Sequence, residues 1–274
     1  MTNNRLWILV GAAAALLSVA ATASATGPIS AASTQAAAPF AQSWANVPQT
    51  SVARRAANTL VFGQEKDVPG FNTALNCCNQ FWAGVQTVPV IRGAFITSDK
   101  LEHLKDLVTG AKATRTTLSY MIRPDAYWYW GGKKVPVTYA DFVYTWQQIV
   151  DPKNDVVARV GYDQITGFTH KGDKQITFKW KQPFADWHDL FARVYPSAAL
   201  EGMDFNKIWT SCICGNDGQP VADGPFYLST YTKGQGSTLT ANPFWYGHKP
   251  ALDEVDFKLI TDTNAEVQAM RDGT

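Results

Sequence analysis

Residues 123–146, RPDAYWYWGGKKVPVTYADFVYTW, decide how the rest of this chain is read. Just before them, Leu118, Tyr120 and Ile122 alternate with Ser119, Met121 and Arg123, the period of a half-buried strand, and Pro124 stops its ladder. In an extended Tyr127-Trp128-Tyr129-Trp130 run the two tyrosines face one way and the two tryptophans the other, so one pair can be core while the other is exposed. Gly131-Gly132 turns the chain. Thr138-x-x-Asp141 approximates a capping box, with Asp where Glu or Gln is usual. From there Tyr139, Phe142, Val143, Trp146, Ile149 and Val150 form one helical stripe that ends at Asp151-Pro152. Tyr144 lies off that stripe, which makes it a better candidate than Trp146 for touching a ligand.

Toward the amino terminus, Thr59 to Gly63 is a short apolar run that suits a buried strand, followed by polar Gln64-Glu65-Lys66-Asp67, which line a cleft or form an exposed loop. Ser98 to Leu107 places Leu101, Leu104 and Leu107 on one face of a short helix ended by Gly110. Toward the carboxyl terminus, 164–169 and 175–181 read as a hairpin around His170-Lys171-Gly172-Asp173-Lys174. Trp187, Leu190, Phe191 and Val194 have helical spacing, and 203–219 has loop character. A second hairpin pairs 226–231 with 237–241, Val255, Phe257 and Leu259 mark another strand, and Thr263-x-x-Glu266 is a capping box opening a last helix.

The composition, 46% apolar and 17% charged over 274 residues, is that of a packed protein with one large domain or two small ones. A net charge of +1, with both signs interspersed, removes the electrostatic case for nucleic acid or an anionic membrane surface. Arg5, the apolar Leu6 to Ala21 and Ala23-Ser24-Ala25 read as a secretory signal over residues 1–25, with 26–58 a flexible leader. In an oxidising compartment the cysteine pairs Cys77-Cys78 and Cys212-Ile213-Cys214 predict disulfides, preferably cross-linking the two pairs; free thiols and a metal site are the alternatives.

Catalytic constellations are nearly absent. Gly131-Gly132-Lys133-Lys134 lacks phosphate-loop spacing, and there is no G-x-S-x-G elbow or H-E-x-x-H. The four histidines are scattered, and Asp186-Trp187-His188-Asp189 reads better as a solvated helix start than as a metal or base site. No catalytic residue, metal or cofactor is expected. One alternative stays open, an exported carbohydrate-active enzyme or sugar-binding module with Tyr127 to Trp130 as its stacking platform and a carboxylate pair set for hydrolysis.

Three motifs in order carry a resemblance. Met121 to Ala126 followed by Trp130 to Trp146, Asp223-Gly224-Pro225-Phe226-Tyr227-Leu228, and Asn242 to Phe257 together resemble the bacterial extracellular solute-binding proteins of family 5, the oligopeptide and dipeptide receptors of ABC importers. The resemblance implies an α/β fold, a periplasmic-binding-protein-like two-lobe clamp of type II with an inserted β-rich subdomain. Mapped onto this chain, 59–75 and 216–274 are the first lobe and 76–215 the insertion. Only that lobe and the insertion are expected here, because family members continue past this point into a second lobe. The resemblance further implies a peptide or other small solute as ligand, permease subunits as partners, a monomer, and a periplasmic or cell-surface location. Tyr144 and Trp146 fall in a segment that approaches ligand in some relatives, Glu65 lies at the cleft end of the first strand, and Tyr127 and Tyr129 complete the ligand candidates. The extra aromatics Tyr127-Trp128-Tyr129 and both cysteine pairs depart from the family pattern.

Overall fold

A computed structural model describes residues 58–272, so the signal segment and nearly all of the leader lie outside the described residues. The elements run in the order β1 (Thr59–Gln64), α1 (Phe81–Thr87), β2 (Phe95–Thr97), β3 (His103–Lys105), β4 (Val108–Ala113), β5 (Thr117–Ile122), β6 (Tyr127–Trp130), β7 (Lys133–Pro136), α2 (Tyr139–Val150), β8 (Ile165–Lys171), β9 (Gln175–Trp180), β10 (Val221–Ala222), β11 (Phe226–Thr232), β12 (Gly236–Ala241), β13 (Glu254–Leu259) and α3 (Thr263–Asp272).

Among the described residues four sheets form, in the strand orders β1-β13-β12-β11, β10-β6-β7, β2-β3 and β4-β5-β9-β8. The first is built only from the two ends of the described chain, with β1 running parallel to β13 and Phe62 opposite Phe257. The last is antiparallel throughout, and Leu118, Tyr120 and Ile122 of β5 share its covered face with Ile176, Phe178 and Trp180 of β9. Phe191 is the hub of the aromatic core, with ring centroids 5.5 Å from Tyr120, 5.3 Å from Phe142 and 5.1 Å from Phe178. Helix α2 therefore docks on the sheet through Phe142, and its buried face includes Val143 and Ile149 as the stripe requires.

The opening stretch folds as its residues dictate. Gly131 and Gly132 have φ of 54° and 83° in a two-residue turn that pairs Trp130 with Lys133, the doubly left-handed geometry that matches the twist of the strands. Thr138 caps α2, with its side chain accepting from the Ala140 N–H, and Asp141 completes the capping box by accepting from the Thr138 N–H.

Five expectations need correction. Strand β1 is only partly covered, with Leu60, Val61 and Phe62 46%, 39% and 40% exposed, because it is an edge strand paired on one side. Residues 98–107 form no helix but the β2–β3 hairpin, since the Ser98 hydroxyl accepts from the Lys100 and Glu102 N–H groups and Leu101 turns to φ 61°. The run from Trp187 makes one 3-10 turn and stops, because Phe191 has φ 57° and residues 191–194 are drawn across 92–94 by backbone hydrogen bonds from Ala94 to Phe191 and from Val194 to Arg92. Helix α3 is capped by Asp262, whose carboxylate accepts from the Ala265 N–H, rather than by Thr263.

The fifth concerns the cysteines. They are bridged within each pair, Cys77 to Cys78 and Cys212 to Cys214, not between pairs. The Cys77-Cys78 bridge belongs to a tight turn in which the N–H groups of Cys78 and Asn79 both donate to the Leu75 carbonyl. In the other pair, the Cα atoms lie 5.3 Å apart, within ordinary bridging distance.

Candidate functional site

Asp141 is the anchor of the region. It is 3% exposed and accepts four hydrogen bonds: Trp128 Nε1 at 3.1 Å and the Thr138 N–H at 2.9 Å on Oδ2, the Ser197 N–H at 2.8 Å and Ser197 Oγ at 2.7 Å on Oδ1. Burial pushes its carboxyl above the ordinary value, and these donors pull it partly back. One side chain thus ties β6, the start of α2 and the 195–200 segment together.

One turn along α2, the Thr145 hydroxyl donates to the Asp141 carbonyl and accepts from the Tyr195 N–H at 2.8 Å. The Tyr195 hydroxyl donates to Asn72 Oδ1 at 2.7 Å, and the Asn72 amide donates to the Phe205 carbonyl. Nearby, Leu75 and Val156 form an antiparallel bridge, with the Val157 N–H on the Ala74 carbonyl and the Asn76 N–H on the Asp155 carbonyl. Tyr162 is held by its carbonyl, which takes Trp146 Nε1, and by its hydroxyl, which takes the Phe191 N–H.

These fixed pieces enclose a cleft of about 320 Å³ with Thr73, Ala74, Asn79, Ile149, Val156, Val157, Tyr162, Arg193 and Tyr195 among its lining. Its walls are mostly apolar, with few polar groups, the usual make-up of a small-molecule site. Arg193 Nη1 donates to the Ala192 carbonyl at 2.6 Å, but Nε is shut off from solvent without a hydrogen-bond partner. Burial, with Arg92 nearby, pulls the guanidinium down to about 10, so it is still a cation at neutral pH. The side chain as a whole is partly exposed at this apolar wall, and a cation there can hold a carboxylate or a peptide carbonyl.

A second, more open groove of about 500 Å³ lies between Tyr127, Lys134, Phe244, Trp245 and Tyr246. Its cations are already engaged. Lys134 Nζ sits 4.0 Å above the Tyr127 ring, and Arg123 lies 4.7 Å from the Tyr246 ring while pairing with Asp125 at 3.0 Å. The cleft at Arg193 is therefore the stronger candidate.

The nominated residues are spread over the molecule. Tyr127 lines the second groove, while Tyr129 stacks on Tyr227 at 4.4 Å. Trp146 packs edge-on against Phe168 and Phe178 and donates to Tyr162. Tyr144 is half-buried, and its hydroxyl, pushed up to about 12 by burial, has no partner. Glu65 is exposed just past β1. Thr73, Asn79, Arg193 and Tyr195 were not nominated from the sequence. The one available signal was Arg193, a cation between apolar Phe191 and Val194. Among the described residues no group of three or more His, Cys, Asp or Glu is set to hold a metal, and no helix is long and apolar enough to cross a membrane.

The family model of the bacterial extracellular solute-binding proteins, family 5 middle region, matches residues 109–274. The chain belongs to this family. It is similar to the oligopeptide-binding protein OppA of Mycobacterium tuberculosis H37Rv, 28% identical over 177 residues that cover 61% of this chain and 28% of that protein. Among solved structures, the periplasmic EDTA-binding protein EppA superposes with a TM-score of 0.70 at 28% identity, covering 79% of this chain and 42% of that one. The oligopeptide-binding protein AppA of Bacillus subtilis, solved with a nonapeptide, gives 0.68 at 21% identity, covering 78% and 42%. The fold is thus that of the type II periplasmic binding proteins, as the resemblance implied, and a periplasmic location is typical of the family. The chain spans less than half the length of these relatives. The carbohydrate-active alternative gains no support from them.

Proposed function

We propose that this chain is part of the solute-capturing component of an ABC importer, one that takes up an extracellular peptide and hands it to membrane permease subunits. The protein acts as an exported monomer, in the periplasm or at the cell surface, by binding and release without covalent chemistry. Residues 59–75 and 216–274 act as one lobe and 76–215 as its β-rich insertion. What supports that division is the β1-β13-β12-β11 sheet, drawn only from the two outer segments.

The observation that carries the ligand assignment is the cleft at Arg193. It is a preformed, mostly apolar wall with a partly exposed cation, built on elements tied together by Asp141 and Tyr195. Family membership supplies the reaction class, capture of a solute. Of the five nominated residues, Tyr127, which lines the second groove, is retained as a ligand-facing candidate.

Thermal-shift measurements with a panel of di- to pentapeptides test this reading. A peptide present at about 100 times its Kd should add about 2.7 kcal/mol of stability, seen as a melting point that rises with concentration. No shift with any peptide refutes it. A second reading, a chelate or polycarboxylate ligand, is favoured by the Arg193 cation together with the EDTA-binding relative. It predicts a shift with EDTA and none with peptides.

A further inference from the structure

The Cys77-Cys78 bridge belongs to the frame of the cleft. Thr73, Ala74 and Asn79 line the cavity, and between them the chain turns through the bridged pair. The Leu75 carbonyl accepts from the Cys78 and Asn79 N–H groups, and the Gln80 N–H donates to the Cys78 carbonyl. The same turn is fastened to the segment that faces it. Leu75 pairs with Val156, itself a lining residue, and Asn76 donates to Asp155 twice, from its N–H to the carbonyl and from its side-chain amide to Oδ1 at 2.7 Å. A covalent ring of two residues therefore sits in the middle of the strip of chain that forms one wall.

The sulfurs of this ring differ in access. Cys77 is exposed, whereas Cys78 is buried with its Sγ 3.0 Å from where a Cβ on Gly70 would sit. That Cβ would also lie 3.3 Å from the Trp209 carbonyl, so glycine is what lets the sulfur and residue 209 close over position 70. Thiol–disulfide exchange needs an approach to one sulfur, so attack falls on Cys77 and Cys78 is the leaving group. The other bridge is more protected. Cys212 is half-buried and Cys214 buried, with the Cys214 carbonyl held by Trp209 Nε1 and Cys214 paired to Pro220.

Resting on the solute-binding reading of this cleft, we propose that Cys77-Cys78 is a redox-modification site that controls it, closed in the capturing form and opened by a dithiol reductant. One thiolate of the dithiol attacks Cys77 Sγ, a sulfur–sulfur bond forms there as the Cys77–Cys78 bond breaks, and Cys78 leaves with the electron pair and takes up a proton. The second thiolate then attacks the dithiol's own sulfur in this mixed disulfide and releases Cys77, which is protonated in turn. The dithiol departs as its disulfide, and the bridge has become a pair of thiols. Exchange with an external disulfide runs the same steps backward. Without the ring, the 75–80 turn rests on hydrogen bonds alone, and the lost loop constraint favours its open form by about five- to tenfold. Affinity falls with the fraction of chains whose wall is in place.

Graded dithiothreitol treatment of the full chain, followed by alkylation and mass spectrometry, tests the chemistry. Cys77 and Cys78 should be alkylated at a reductant concentration about threefold or more below that needed for Cys212 and Cys214. Amide hydrogen exchange across 75–80 should then quicken by about fivefold, with 209–214 unchanged. Calorimetry with tri-alanine, penta-alanine and EDTA as probes should show the bridged form binding at least one of them about threefold or more tightly than the reduced form. Cys212→Ser/Cys214→Ser should keep this response, and Cys77→Ser/Cys78→Ser should bind as the reduced form does and ignore the reductant. Earlier opening of Cys212-Cys214, unchanged exchange across 75–80, or equal affinities in the bridged and reduced wild type overturn the proposal while leaving the solute-binding reading in place. A bridged form that binds none of the three probes overturns that reading, and redox control of binding with it, whatever the exchange data show.

Discussion

Replacing Asp141 separates two opposing contributions at the centre of this fold. The carboxylate is buried, which costs free energy, yet among the described residues it is the only acceptor for the Thr138 and Ser197 N–H groups and for Trp128 Nε1. In Asp141→Asn the amide oxygen can serve one pair of donors while its NH₂ faces the other. The milder orientation turns the NH₂ toward Ser197, whose hydroxyl can rotate to accept, and one buried N–H is left unpaired at about 1–3 kcal/mol. In Asp141→Ala all three N–H donors lose their acceptor and the capping box is broken, for roughly 4–7 kcal/mol in total. Against a total stability of about 5–15 kcal/mol, alanine should remove a large part and asparagine about 2 kcal/mol. Urea unfolding followed by tryptophan fluorescence reads both, with an unchanged m-value showing that stability alone has moved. Asp125→Asn, at an exposed carboxylate, is the control. A neutral or stabilising Asp141→Asn would mean that desolvation outweighs the hydrogen bonds, and an alanine variant no worse than the asparagine one would refute the donor count.

Other consequences can be read from the same structure. Asp223 is fully buried, its Oδ1 accepts the Arg92 N–H at 2.8 Å, its Oδ2 has no partner, and burial pushes its carboxyl up to about 8. The folded chain then keeps a proton that the unfolded chain releases near pH 3.9, so stability should fall as pH rises from about 4 to about 8. Urea midpoints across that range should flatten in Asp223→Asn, and an unchanged slope would reject the assignment. Because each disulfide closes a ring of only two or three residues, loop entropy gives it about 1–2 kcal/mol. The double variants Cys77→Ser/Cys78→Ser and Cys212→Ser/Cys214→Ser should each lose no more than that in urea unfolding; a loss of 4 kcal/mol or more would speak for a long-range bridge.

Local chemistry made much of this fold legible. Gly131-Gly132 between paired aromatic and lysine residues, Thr138 with Asp141, and the alternation of Leu118, Tyr120 and Ile122 each specify their conformation within a few residues, and the structure has all three. Helical spacing misled where a local competitor or a long-range partner acted. The Ser98 hydroxyl supplied the competitor, and the backbone of 92–94 supplied the partner that pulled 191–194 out of helix. Cysteine spacing could not choose the bridges, because pairing depends on which sulfur each turn brings near.

The candidate site was the least legible part. Thr73, Asn79, Arg193 and Tyr195 are far apart in sequence, and nothing in their neighbourhoods marks them as lining one cavity. Trp146 illustrates the converse: aromatic, and in a segment expected to approach ligand, it spends its ring on Phe168 and Phe178 and its N–H on Tyr162.

For residues 123–146, then, turn and cap preferences act within one or two helical turns, so the sequence alone determined the hairpin, the capped helix and the family they belong to. Which side chains meet across the cleft was decided only by tertiary structure. Asp141 draws its donors from three separate segments, Tyr195 reaches Asn72 across 123 positions, and the unused nitrogen of Arg193 is defined by the partners that packing withholds.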